Sequence, residues 1–135
     1  MRVSPYLFFK GNCEEAITFY AKTLGGEIET IMHVEEAPAE AQQHMGESMK
    51  GKVMHACIKI GSFQIMASDA PPDRFNKPQG FDVSLHIDDL EKAKATFAAL
   101  SEGGSVNMPF GPTFWAKGFG GCVDRFGTPW MVNCQ

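Results

Sequence analysis

No two cysteines in this chain of 135 residues form a C-x-x-C pair. The four present, Cys13, Cys57, Cys122 and Cys134, are scattered, and no secretory signal accompanies them. They read as reduced, buried thiols of a cytoplasmic protein. Runs of basic residues are also missing, and the formal charge is -4. Nucleic acid, whose phosphates want clustered Lys and Arg, is therefore not an expected partner. No apolar stretch approaches the roughly 20 residues that cross a bilayer, so no membrane partner is expected either. The opening MRVSPYLFFKGN turns polar too soon for a signal peptide and reads as a first strand. Ser68, Ser84 and Ser101 lack a G-x-S-x-G setting, and no cysteine sits in a nucleophile motif, which argues against a hydrolase. His33, His44, His55 and His86 form no i,i+4 pair and no H-E-x-x-H zinc motif.

What the chain does contain is one pattern written twice. PYLFFKGNCEEAITFYAKTLGG (Pro5–Gly26) reads as a strand, a polar turn, an amphipathic helix and a double-glycine stop. DVSLHIDDLEKAKATFAALSEGG (Asp82–Gly104) reads as the same elements in the same order. Ala16 and Tyr20 in the first run correspond to Ala93 and Phe97 in the second. Two matching halves commonly face one another across a shared cleft, where ligands sit.

The first half opens on an apolar run, Val3–Phe9, which suggests a central strand. Asn12 is a candidate N-cap, and Glu14 and Glu15 suit the first turn of a helix. Cys13, Ala16, Ile17, Tyr20 and Leu24 recur at helical spacing, and Gly25-Gly26 supplies a left-handed stop. Glu27–Val34 alternates as a strand should. Residues 35–51 (EEAPAEAQQHMGESMKG) are polar and unpatterned, either a surface excursion or a lid. Lys52–Ile60 and Phe63–Ser68 flank Gly61-Ser62, a hairpin signal. A proline-rich linker follows. In the second half Phe81–Ile87 is a strand, Asp88 or Asp89 caps a helix with the stripe Leu90, Ala93, Phe97 and Leu100, and three strands complete the module. The expectation is a single domain over 1–135, with module 1 at 1–70, a linker at 71–79 and module 2 at 80–135. Each module is β-α-β-β-β, and one helix per four strands argues against a parallel α/β sheet.

Three pieces carry a family resemblance: the opening PYLFFKGNCEEAITFYAKTLGG, the run IGSFQIMASDAPP (Ile60–Pro72) and the close DRFGTPWMVN (Asp124–Asn133). Together they resemble the PhnB-like branch of the vicinal oxygen chelate superfamily, which includes glyoxalase I, fosfomycin- and bleomycin-resistance proteins and extradiol dioxygenases. The resemblance spans essentially the whole chain. It implies the α+β glyoxalase/bleomycin-resistance/dioxygenase fold, two βαβββ modules forming a cleft, and a homodimer with paired modules.

Catalytic relatives hold a divalent metal with His or Glu from the first and last strands of each module. Matching those strands puts the four slots at Pro5, Met66, Asp82 and Met131. Proline has no side-chain donor, and a thioether suits soft ions and not Mg, Mn, Ni or Zn. Asp82 alone could ligate, and a second copy of the chain brings the same residues. The expectation is no metal and no other cofactor.

Strand parity places Asp82, Ser84 and His86 on one face, with Asp82 and His86 roughly 13 Å apart. If that face lines the cleft they are its polar groups; a solvated or structurally satisfied His86 is the other reading. Phe9, Met66, Met131, Phe114 and Trp115 would add aromatic and thioether surface for a flat or amphiphilic small molecule. Gly118–Gly121 reads as glycines easing a bent strand and not as a nucleotide loop. Asp69 is either a structural cap or a partner for a cationic ligand. Two functions remain open: a small-molecule binding protein with a metal-free apolar cleft, or a lyase, isomerase or transferase using Asp82 or His86 as general acid or base.

Overall fold

The computed structural model describes all 135 residues. They divide into two compact units, Met1–Asn76 and Lys77–Gln135. The first unit runs β1 (Tyr6–Phe9), α1 (Cys13–Leu24), β2 (Glu27–His33), a short helix α2 (Ala39–Gln42), β3 (Val53–Ile60) and β4 (Phe63–Asp69). The second runs β5 (Val83–His86), α3 (Leu90–Ser101), β6 (Ser105–Gly111), β7 (Gly118–Val123) and β8 (Pro129–Cys134). Each unit has one four-stranded sheet, ordered β1-β4-β3-β2 and β5-β8-β7-β6. In both, the first strand pairs parallel with the last while the other neighbours run antiparallel. The α+β class and the β-α-β-β-β order expected for each half are present.

Each sheet is covered by its unit's long helix on one side. The stripe Cys13, Ala16, Ile17, Tyr20 and Ala21 is buried on α1, against β2, β3 and β4. On α3 the buried stripe is Ala93, Thr96, Phe97 and Leu100, against β6, β7 and β8. Leu7, Phe9, Ala56, Ile58, Ile65 and Ala67 complete the first core, and Trp130, Val132 and Cys122 belong to the second. All four cysteines are free and buried.

Both helices end on a glycine pair with two separate physical reasons. The first glycine of each is left-handed, Gly25 at φ 69° and Gly103 at φ 76°. The second leaves no room for a side chain. A Cβ at Gly26 would stand 2.8 Å from the Lys59 carbonyl oxygen, and one at Gly104 would stand 2.1 Å from that of Val123. Chain approach, not backbone conformation, fixes that second position.

Three sequence expectations change. Asn12 makes no side-chain cap bond. Asp69, at the end of β4, does the capping instead: its Oδ1 accepts from the backbone N–H of Gly11 (2.9 Å) and Cys13 (3.0 Å), and its Oδ2 from Val53 (2.9 Å). The run Val3–Phe9 is not a central strand, since β1 starts at Tyr6 and is an outer strand of its sheet. Its apolar character on both sides has another source: Leu7 and Phe9 enter the core while Tyr6 and Phe8 stay exposed on the side away from the helix. In the second half the choice between Asp88 and Asp89 resolves to Asp89, whose Oδ1 accepts from the Lys92 N–H at 2.9 Å.

Residues 35–51 are neither strand nor long helix. They fold as one-turn pieces, with α2 between 3₁₀ turns at Val34–Glu36 and Glu47–Met49. Single turns carry no periodicity, which is why the sequence showed none. Val34, Ala37 and Met49 are buried beneath them. The Glu35 carboxylate accepts the Gly51 N–H (2.9 Å to Oε2), which holds it below the usual carboxylate range.

Candidate functional site

The side of the second sheet away from α3 carries most of the chemistry. Parallel pairing sets Ser84 beside Met131 and His86 beside Asn133, while Val83 and Leu85 pair with Trp130 and Val132 of the core. Across β7–β8, Phe119 is opposite Asn133 and Gly121 opposite Met131. One open face therefore presents Ser84, His86, Met131, Asn133 and Phe119.

His86 sits in the middle of a polar row. Its Nε2 is 3.4 Å from the Ser84 hydroxyl oxygen, and its Nδ1 is 3.5 Å from the Asn133 side-chain nitrogen. Asn133 is only 7 % exposed, and its Oδ1 is buried without a hydrogen-bond partner. Such an atom normally costs about 1–3 kcal/mol unless something bonds it. The row continues into aromatics. The Trp115 ring meets Phe119 edge-on at 5.3 Å, and Phe114 meets Trp115 at 4.8 Å. Phe114 is 97 % exposed. The turn bearing this pair is held by Thr113, whose Oγ1 accepts from the N–H of Trp115 (3.3 Å) and Ala116 (3.0 Å).

The glycine run lies inside β7 and does structural work on both faces. Cβ atoms at Gly118 and Gly120 would stand 2.3 Å from the Phe110 ring and 2.8 Å from the Phe97 ring, on the helix side. One at Gly121 would stand 2.5 Å from Asn107 Oδ1. The bare strand thus leaves space for the Asn107 side chain beside the Met131 row.

The residues expected from sequence divide between the two units. Ser84, His86, Met131, Phe114 and Trp115 belong to the second, and the structure links Ser84 to both His86 and Met131. Asp82 precedes β5 and is exposed; the partners of His86 are Ser84 and Asn133. Met66 belongs to the first unit, paired with Tyr6 on that sheet's open face, with its N–H on the Pro5 carbonyl at 3.1 Å. Phe9 does not line an open face. It is 1 % exposed, and its ring lies 6.3 Å from Tyr20 of α1. The first unit's open face carries Tyr6 and Phe8 instead, rings 5.0 Å apart, with the Tyr6 hydroxyl 3.1 Å from His55 Nδ1. Asn133, Asn107 and Phe119 were not singled out in the sequence. The first shares strand parity with Met131, a signal sufficient to find it.

The donor set does not suit a catalytic divalent metal. Pro5 and Met66 adjoin on one sheet, Met131 pairs with Ser84 on the other, and neither site gathers hard donors. No three His, Cys, Asp or Glu side chains in the chain are arranged to hold an ion. Thiol chemistry is also poorly served: burial pushes the Cys13, Cys57 and Cys122 thiols up from their ordinary range. Asp69 serves as the structural cap described above.

Two four-stranded βαβββ units with this strand order define the glyoxalase fold of the vicinal oxygen chelate superfamily. A solved member, the genomically encoded fosfomycin resistance protein FosX from Listeria monocytogenes, superposes with a TM-score of 0.65 over 98 % of this chain and 92 % of its own, at 10 % identity, a likeness of fold alone. Within that class the chain belongs to the PhnB-like family whose model is described as 3-demethylubiquinone-9 3-methyltransferase, matched over residues 1–133. It is 38 % identical to Protein YjdN of Escherichia coli (strain K12), covering 98 % of this chain and 95 % of that one. The crystal structure of protein PA1353 from Pseudomonas aeruginosa is similar at 44 % identity and a TM-score of 0.91, covering 100 % of this chain and 98 % of that one. No helix is long and apolar enough to cross a membrane.

Proposed function

We propose that this chain is a small-molecule binding protein that takes a flat or amphiphilic organic ligand, without a metal ion, on the open face of its second unit. One observation carries the reading. The open face of the second sheet sets Met131 beside Phe119, against which the Trp115 ring packs, and a row of uncharged polar groups, and the family resemblance puts Met131 and Met66 where metalloenzyme relatives have hard donors. Thioether and aromatic surface binds planar apolar groups, and the row orients them. A homodimer, implied by the family resemblance, is part of the same proposal, as is a cytoplasmic location.

The family description names a methyltransferase. The glycine run lies within β7, not in a strand–turn–helix loop of the kind that cradles nucleotide cofactors, so it lends that activity no support. A second reading keeps an enzyme of lyase, isomerase or transferase type. It is favoured by the approach of His86 to the Ser84 hydroxyl, since a histidine so placed can relay a proton; Asp82 is the other candidate acid or base.

A thermal-shift screen of planar aromatic compounds, run in chelator, tests the binding reading, because a ligand that binds the native state raises the apparent melting temperature. Compounds that stabilise the wild type in chelator support it, and a screen whose hits all require added metal overturns it. Asp82→Ala, outside the polar row, is expected to leave binding largely intact, and His86→Ala to weaken it a few-fold without abolishing it. Loss of a measured turnover in either variant would favour the enzyme.

A further inference from the structure

We propose that the open face of the first unit binds a soft monovalent cation of the Cu(I) class, held across β2, β3 and β4 by Cys57, His55, Met66 and Met32. The site is separate from the ligand face of the second unit and does not rest on the binding reading.

Strand register brings the four side chains together. On β3, Ala56 and Ile58 are fully buried on the α1 side, so His55 and Cys57, which alternate with them, take the open side. Met66 of β4 is directly opposite Cys57, and Met32 of β2 is directly opposite His55. Opposed side chains start about 5 Å apart at Cβ, and residues two apart on one strand about 7 Å. One face therefore gathers a thiol, an imidazole and two thioethers, the donors that select Cu(I) over harder ions. Only the thiol and the imidazole suit Zn, and no third His, Cys, Asp or Glu joins them.

Two neighbours complete the arrangement. The Tyr6 hydroxyl lies 3.1 Å from His55 Nδ1. With Nδ1–H donating to that oxygen, Nε2 keeps its lone pair for the ion; metal-bound imidazoles commonly have such an outer partner. Glu29 Oε2 lies 3.9 Å from Cys57 Sγ, and a change of χ1 rotamer redirects the sulfur across β3 toward Met66. Burial first, then Glu29, keeps the free thiol protonated. A bound cation displaces that proton: the S–H bond breaks, the S–Cu bond forms, and the Glu29 carboxylate takes the proton. Nothing is oxidised or reduced. The remaining cysteines, Cys13, Cys122 and Cys134, are 0 % exposed and lie in the cores.

The probe is Cu(I) itself, titrated without oxygen into the reduced full chain against the coloured competitor bicinchoninate. The wild type is expected to withdraw one Cu(I) per chain. Met66→Leu, which conserves volume, and His55→Phe should each weaken binding about tenfold, and Cys57→Ser about a hundredfold or more. Met108→Leu, on exposed β6, should change nothing. Methionine-methyl NMR with Ag(I), a redox-inert stand-in, needs no variant and serves if Cys57→Ser does not fold. The Met66 and Met32 methyl signals should move and that of Met108 should stay. A wild type that takes no copper from bicinchoninate would overturn the proposal. So would copper lost in Cys57→Ser alone, with the Met66 methyl unmoved, which marks an ordinary thiol. Either result leaves ligand binding on the second unit standing.

Discussion

The two units share a strand order and a helix position, yet they meet the same local requirements with different residues. In the second unit the helix is capped from within its own sequence, by Asp89 on Lys92. In the first, the cap comes from Asp69, which closes β1, α1 and β3 around one buried carboxylate. The second unit also has a buried carboxylate, Asp124, but it holds a turn: Oδ1 accepts from Phe126 and Thr128, and Oδ2 from the Trp130 indole N–H. The open faces differ more. Tyr6, Phe8 and His55 form an aromatic surface on the first, while Ser84, His86 and Asn133 form a polar row on the second. The helix side is fixed by core packing and repeats closely; the open side is free to diverge, and that is where the units differ chemically.

The sharpest break in the comparison is expected at the caps. Asp69→Ala strands two buried N–H groups and a part-buried one and should cost about 3–5 kcal/mol, whereas Asp89→Ala removes one exposed cap bond and should cost about 1 kcal/mol. Urea unfolding of the two variants measures the difference; equal losses would contradict a multiply bonded cap in the first unit. Next come the second glycines of the helix stops. Gly104→Ala should cost about 3 kcal/mol and Gly26→Ala about 1–2 kcal/mol, because the clashes with backbone carbonyls are at 2.1 and 2.8 Å respectively. The same unfolding assay ranks them, and a reversed order would contradict the approach distances.

Removing an aromatic from each open face comes third. Trp115→Ala is expected to weaken binding of planar aromatic compounds about tenfold, and Phe8→Ala to leave it unchanged. Calorimetric titration distinguishes the two, and an effect confined to Phe8 would move the site to the first unit.

The smallest effect concerns His33, whose Nε2 lies 2.5 Å from Glu14 and whose Nδ1 lies 3.2 Å from Glu36. Both ring nitrogens face carboxylates, so the imidazolium is favoured. The hydrogen bond to Glu14, then that to Glu36, holds the pKa above its ordinary value. Stability from a raised pKa is fully present below about 6.5, the unfolded value, and is lost as pH rises through the folded value. The pair is exposed, so the contribution should be only a few tenths of a kcal/mol. His33→Ala should therefore be slightly less stable than wild type at acidic pH and equal to it in mild alkali, as read by urea midpoints. A gap that widens with pH would contradict the doubly paired imidazolium.

Much of the fold was legible because helix stripes, double-glycine stops and the Gly61-Ser62 hairpin are local signals. The first strand departs from its sequence expectation for a physical reason. YLFF is apolar throughout, so periodicity cannot say which residues face the helix, and Phe9, expected at a ligand, packs on Tyr20. The cap of α1 was equally hidden, since Asp69 is 56 residues from the Cys13 it serves. On β5 alternation is clean: Ser84 and His86 share a face and Met131 pairs with Ser84, whereas Asp82, offered with them by parity, lies before the strand. Asn133 and Phe119 carry no local signal, one at the end of a family motif and the other among glycines, and only strand pairing joins them to His86.

Metal loading bears most directly on the central claim. The purified chain, dialysed against Mn, Ni and Zn and then washed, is expected to retain well below one ion per chain. An ion retained at one per chain and released by Asp82→Ala would contradict it.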